Sequence, residues 1–117
     1  MYIEKASSVA EKGWSIGPWN SSVSIAVGFA NKSIDEPHYH ETITEIYLVA
    51  RGEVEVRVEQ ETVHLSQNDV LVIEPGEAHT FVAASSDYFH FVVHTPGLPD
   101  GQAQADKKRV RRSRLGL

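Results

Sequence analysis

The chain has 117 residues, a formal charge of −5 and no cysteine. That length suits one domain with a real core and is too short for two ordinary ones. Without cysteine there are no disulfides, thiolate metal sites or cysteine nucleophiles. No run of about 18 apolar residues is present, so no membrane-spanning helix is expected. The opening "MYIEKASSVAEKG" lacks the apolar core of a signal peptide, and a cytoplasmic location is the expectation.

The charge is unevenly placed. Residues 1–105 hold 5 Lys/Arg against 15 Asp/Glu, whereas residues 106–117 hold 6 basic residues and only Asp106. The acidic body argues against a nucleic-acid surface. The basic tail "DKKRVRRSRLGL" is expected to dock on acidic surface, with a short helix beyond Gln102. On this reading residues 1–105 form a barrel domain and residues 106–117 a basic C-terminal tail.

Short strands follow in chain order. A helix is conceivable at the start, in "SSVAEKG", and Trp14 and Trp19 then flank a segment expected to cover a barrel edge or a partner. "SVSIAVGFA" (Ser22–Ala30) alternates apolar and small or polar residues, a period of two. "EIYLVA" is a nearly continuous apolar run. After a turn at Gly52, "EVEVRVE" sets Val54, Val56 and Val58 on one face against Glu53, Glu55, Arg57 and Glu59 on the other. A hairpin at Gln60–Glu61 leads into "TVHL", with His64 facing solvent, and "SQND" reads as a further turn. "VLVIEPGEAHTFVA" is a strand, a Pro75–Gly76 turn and a second strand. The last strand, "YFHFVVHT", stops at Pro96–Gly97. Many short strands with turn signals indicate an all-β sandwich or barrel. Its expected core is Val23, Ile25, Ile46, Leu48, Val54, Val56, Val58, Val70, Val72, Phe89 and Phe91.

The chemistry concentrates in "DEPHYHETITE" (Asp35–Glu45). His38 and His40, two apart on a strand, share one face with α-carbons about 6.5–7 Å apart, close enough for both rings to reach one ion. A polar strand edge would place the same histidines in water. The wider pattern is more demanding: His-x-His, Glu45, Gly52, then Asn68-Asp69, Pro75-Gly76 and His79.

This pattern, over roughly Ser33–Gly97, resembles the two sequence motifs of the cupin family. The first motif matches at five positions. The second is looser, with Asn68, Glu74 and Ala83 where the family usually has Gly, Pro and Asn, and the first motif's leading Gly falls at Lys32. Asn tolerates the left-handed turn best after Gly. The resemblance implies a double-stranded β-helix, or jelly-roll barrel. It also implies one divalent metal on His38, His40, Glu45 and His79, with Glu45 alternatively a base. Such N and O donors suit Fe, Mn, Ni, Cu, Co or Zn without selecting among them.

Tyr47, Phe81, His90 and His94 are candidates to line the pocket, although aromatics at alternating strand positions also build plain cores. Glu74 and Glu77 are turn carboxylates, a weak basis for acid/base pairing. The resemblance implies a small metal-dependent enzyme on a small molecule, with dioxygenase-like chemistry ahead of isomerase/lyase-like. It equally permits a non-catalytic module that binds a sugar or small acid. A homodimer is expected, because an open barrel edge invites a second copy.

Overall fold

A computed structural model describes residues 1–5, 10–99 and 101–117. Its strands run, in order, β1 Lys12–Ile16, β2 Ala26–Ala30, β3 His38–His40, β4 Thr44–Arg51 and β5 Glu53–Val58. They continue as β6 Glu61–Ser66, β7 Val70–Ile73, β8 His79–Ala84 and β9 Phe89–Thr95. A single-turn helix α1, Gln102–Asp106, precedes β10 Lys107–Arg109 and a 3₁₀ turn at Arg112–Leu115. Two five-stranded sheets result, ordered β1-β2-β9-β4-β7 and β10-β3-β8-β5-β6. All pairings are antiparallel, and the two sheets face each other as an all-β jelly-roll barrel.

Turn chemistry sets the registers. Gly52, between β4 and β5, has φ +74, and a Cβ there would lie 2.9 Å from the Tyr88 backbone. Only glycine takes that turn without strain. Asn68 has φ 76, so it does occupy the left-handed position where the motif usually carries glycine. Asp69 closes the same turn by accepting the Ser66 N–H at 2.8 Å.

Tyr47 and Val49 of β4, Val54 and Val56 of β5, Leu65, Ile73, Phe81, Tyr88 and Val92 form the buried core. Val54, Val56 and the half-buried Val58 lie where the alternation put them. Val23, Ile25, Leu48, Val70, Val72 and Phe91 do not: each is exposed. Ile46 and Phe89 are only half-buried. The physical reason is the period of two. Once Glu45 and Tyr47 of β4 point inward, Ile46 and Leu48 must point outward. Val23 and Ile25 lie outside any strand, because β2 begins at Ala26 rather than Ser22.

The helix considered for "SSVAEKG" falls partly outside the described residues, and its last two positions, Lys12 and Gly13, open β1. The tail is docked. β10 pairs with β3, matching Lys107 to His40 and Arg109 to His38, and Leu115 is fully buried.

Candidate metal centre

Strand pairing brings the histidines together. His38 of β3 pairs directly with His79 of β8, and Glu45 of β4 pairs with His94 of β9. The two sheets thus converge on one carboxylate. Glu45 Oε1 lies 3.1 Å from His79 Nε2, 3.5 Å from His40 Nε2 and 3.8 Å from His38 Nε2.

The backs of these rings set their tautomers. His38 Nδ1 lies 2.6 Å from the Glu36 carbonyl and His79 Nδ1 3.0 Å from the Glu77 carbonyl. A carbonyl only accepts, so each Nδ1 donates, and the Nε2 of a neutral ring carries a lone pair. His40 Nδ1 donates in the same way to the Asp106 carboxylate at 3.2 Å. Three lone pairs therefore face Glu45 Oε1.

The other carboxylate oxygen is occupied. Tyr47 O–H donates to Oε2 at 2.6 Å, and His94 Nε2 sits 3.1 Å from it. Glu45 Oε1 and His79 Nε2, by contrast, are buried without a hydrogen-bond partner. Two orphaned acceptors facing one another are costly unless a cation lies between them. Three imidazole nitrogens and one carboxylate oxygen are an N/O donor set that fits a divalent transition metal. Two overlapping triads within 4.8 Å, His38-Glu45-His79 and His40-Glu45-His94, include all four expected ligands and add His94.

Burial pushes the Glu45 carboxyl up, but the imidazoles of His38, His79 and His94 outweigh it and hold the group well below its usual range. A carboxylate so firmly ionised is a better ligand than a base. Burial likewise raises the Tyr47 phenol, and the Glu45 charge raises it further, so Tyr47 stays a donor. Burial lowers His40, which the Glu45 charge only partly offsets.

A cavity of about 410 Å³ opens onto the cluster. Tyr47, Phe81, His90 and His94 all line it, together with Trp14 and Val92. The cavity wall carries a second polar device. Tyr88 O–H and His90 Nδ1 are 2.5 Å apart, both residues being buried. With the phenol donating to Nδ1, the neutral ring turns its Nε2–H away from Tyr88. His64 stands apart and exposed, paired loosely with Glu55 at 3.7 Å. Glu74 and Glu77 stay in their turn, where Glu77 accepts the Glu74 N–H.

No spacing in the sequence marks Asp106 for chemistry. Its carboxylate accepts from the Thr42 hydroxyl at 2.6 Å, the Thr42 N–H at 3.0 Å and the Ile43 N–H at 3.2 Å, besides His40. Burial raises its pKa, but these donors prevail and keep it ionised. The one signal in the sequence was a lone acid at the head of a basic tail.

The family model for the AraC-like ligand-binding domain matches residues 21–112, most of the chain. The chain belongs to that family. The fold recurs in solved structures. A protein from Planctomyces limnophilus is 18% identical, with a TM-score of 0.69, covering 92% of this chain and 96% of that one. KdgF from Halomonas sp. is 23% identical, TM-score 0.64, covering 76% and 80%. Streptomyces PAC13, solved with uridine, is 16% identical, TM-score 0.67, covering 95% and 91%. At these identities the likeness establishes the cupin barrel. No curated protein matches the sequence.

Proposed function

We propose that this chain is a small metal-dependent enzyme acting on a small molecule in the barrel cavity. His38, His40 and His79 would hold the metal through Nε2, and Glu45 through Oε1. The observation that carries the reading is the unpaired Glu45 Oε1, in a cavity that Glu45, His38 and His40 line, facing the equally unpaired His79 Nε2 buried behind it. A divalent metal held by these four groups would supply a Lewis acid for a substrate in the cavity. Glu45 is pinned by Tyr47 and His94, so it serves as ligand and not as base. His94 lines the cavity beside it, with Nε2 spent on Glu45 Oε2, so its Nδ1 is the nitrogen left to take a substrate proton. That favours isomerase or lyase chemistry over oxygen insertion. Among the structural neighbours Pac13 is described as a nucleoside dehydratase, which supports the lyase branch. A second reading, a non-catalytic sensor of a sugar or small acid, draws on the family's description as a ligand-binding domain.

Metal analysis of untagged protein tests the centre. About one equivalent of Fe, Mn, Ni, Cu, Co or Zn is expected, lost in His79→Ala while circular dichroism still reports a folded barrel. Chelation should lower the melting temperature of the wild type at pH 7.5, by mass action, and leave that of His79→Ala unchanged. No metal and no chelator effect would remove the proposal. Oxygen uptake by the loaded protein, screened against small acids and sugars, would move the reaction class to the oxygenases.

We also infer a cytoplasmic homodimer, with the contact on a sheet face rather than an edge. The registers align Val72, Ile46, Val93 and Val27 in one row across four strands, and Val70, Leu48 and Phe91 in the next, which ends at the buried Phe29. Val70 is 56% exposed, Val72 50% and Phe91 43%. An uncharged array of this extent exceeds scattered surface apolarity. A two-fold axis through it would match the face with itself. Leu48→Glu should convert a dimer to a monomer in sedimentation velocity; a wild-type monomer at 100 µM would refute the contact.

A further inference from the structure

The two tryptophans of the chain frame a second cleft of about 320 Å³ beside the first cavity. Trp14 and Trp19 line it with Leu98, Pro99, Gln104 and His94. Trp14, His94, Ala103 and Gln104 line both spaces, so the cleft and the cavity above Glu45 share a wall. Trp14 meets His94 with ring centroids 4.4 Å apart. Each indole rests on a glycine. A Cβ on Gly28 would lie 2.8 Å from Trp14 Cε3, and one on Gly17 would collide with the Trp19 ring. Any side chain at either glycine would displace the indole it supports. Both tryptophans nevertheless remain open to solvent, Trp14 at 46% and Trp19 at 38%.

Exposed large aromatics held in place by a bare backbone are poor core and good stacking surface. We propose that Trp14 and Trp19 form a subsite for a planar aromatic group, so that the ligand is an aromatic ring bearing an oxygen-donor end. The ring would lie in the cleft, and the oxygen end would reach past His94 towards Glu45. The oxygen end rests on the metal reading above; the aromatic end does not. The lining supports a ring over a short aliphatic acid, because Leu98 and Pro99 add apolar walls and Gln104 a polar rim. Stacking on an indole is tolerant of ring identity, so the subsite selects a class and not one compound.

With two tryptophans in the chain, indole N–H resonances of ¹⁵N-tryptophan-labelled protein report on each wall separately. Trp14→Phe and Trp19→Phe assign them. Titration with 2-naphthoate should shift both resonances and saturate, whereas acetate should leave Trp19 unmoved. Trp19→Ala should weaken 2-naphthoate about tenfold or more. If neither indole moves, or Trp19→Ala leaves the affinity unchanged, the subsite is refuted. Repeating the titration after EDTA separates the two ideas. A Trp19-dependent affinity indifferent to EDTA keeps the subsite and counts against the metal, whereas an EDTA-sensitive, Trp19-independent affinity does the reverse.

Discussion

In the presence of EDTA, stability should fall by roughly 3 kcal/mol more in the wild type than in a Tyr88→Phe/His90→Phe variant between pH 7 and pH 4. Burial carries His90 from its ordinary 6.5 down to about 4, and the distant Glu45 charge only partly opposes that. The folded pKa is therefore depressed. Below pH 6.5 the unfolded chain binds a proton at this position that the native state refuses, so protons favour unfolding. The loss begins near pH 6.5 and ends near pH 4, where native His90 itself protonates. Changing both partners matters, because His90→Phe alone would strand the Tyr88 hydroxyl in the core. Replacing the pair with phenylalanines leaves no unpaired polar atom. Urea titrations at pH 7, 5.5 and 4 measure the difference. Parallel pH dependences in the two proteins would mean that His90 is solvated or protonated in the native state.

Asp106→Asn should lower metal affinity 10- to 100-fold, whereas Leu115→Ala should lower stability and leave metal affinity unchanged. Asp106 orients His40 through its Nδ1–H, and losing such an outer carboxylate typically has that effect on a metal site. Leu115 is fully buried, so truncating it should cost about 2–5 kcal/mol. Competition with a chromophoric chelator reads the first and urea denaturation the second. Equal metal affinity in Asp106→Asn and wild type would show that His40 needs no orienting partner. Raising salt to 1 M should not release the tail. Two of its ion pairs, Arg112–Asp35 at 2.6 Å and Arg114–Glu59 at 2.9 Å, are solvent-exposed, whereas Lys107–Glu36 is partly buried and less screened. The exposed pairs contribute about 0.2–1 kcal/mol each. Strand pairing and Leu115 hold the tail more firmly than charge does.

That contrast recurs through the molecule. The fold class was legible in the sequence because turn residues are local, and the candidate ligands because His38 and His40 sit in a motif whose resemblance to the cupin family also implied Glu45 and His79. His38 and His40 share a face by the period of two, and Asn68 and Gly52 mark turns that few other residues can make. The outward face of the β1-β2-β9-β4-β7 sheet was not legible. "EIYLVA" and "VLVI" are apolar on both sides, so alternation cannot say which side is core. Only closure of the barrel, with Glu45 drawn inward to meet three imidazoles, decided that Leu48, Val70, Val72 and Phe91 face out.

The identity of the candidate ligands and the means of orienting them divide in the same way. His94 and Tyr47 were visible as pocket candidates, but their grip on Glu45 Oε2 depends on β9 pairing with β4. Asp106 lies more than sixty residues from His40 in sequence, and no spacing rule connects them. The chain end reaches β3 only because β10 completes that sheet. Local patterning thus determined which residues are chemically apt for a metal. Long-range strand pairing decided which of their atoms face one another, which of them are pinned, and which apolar surface was left uncovered.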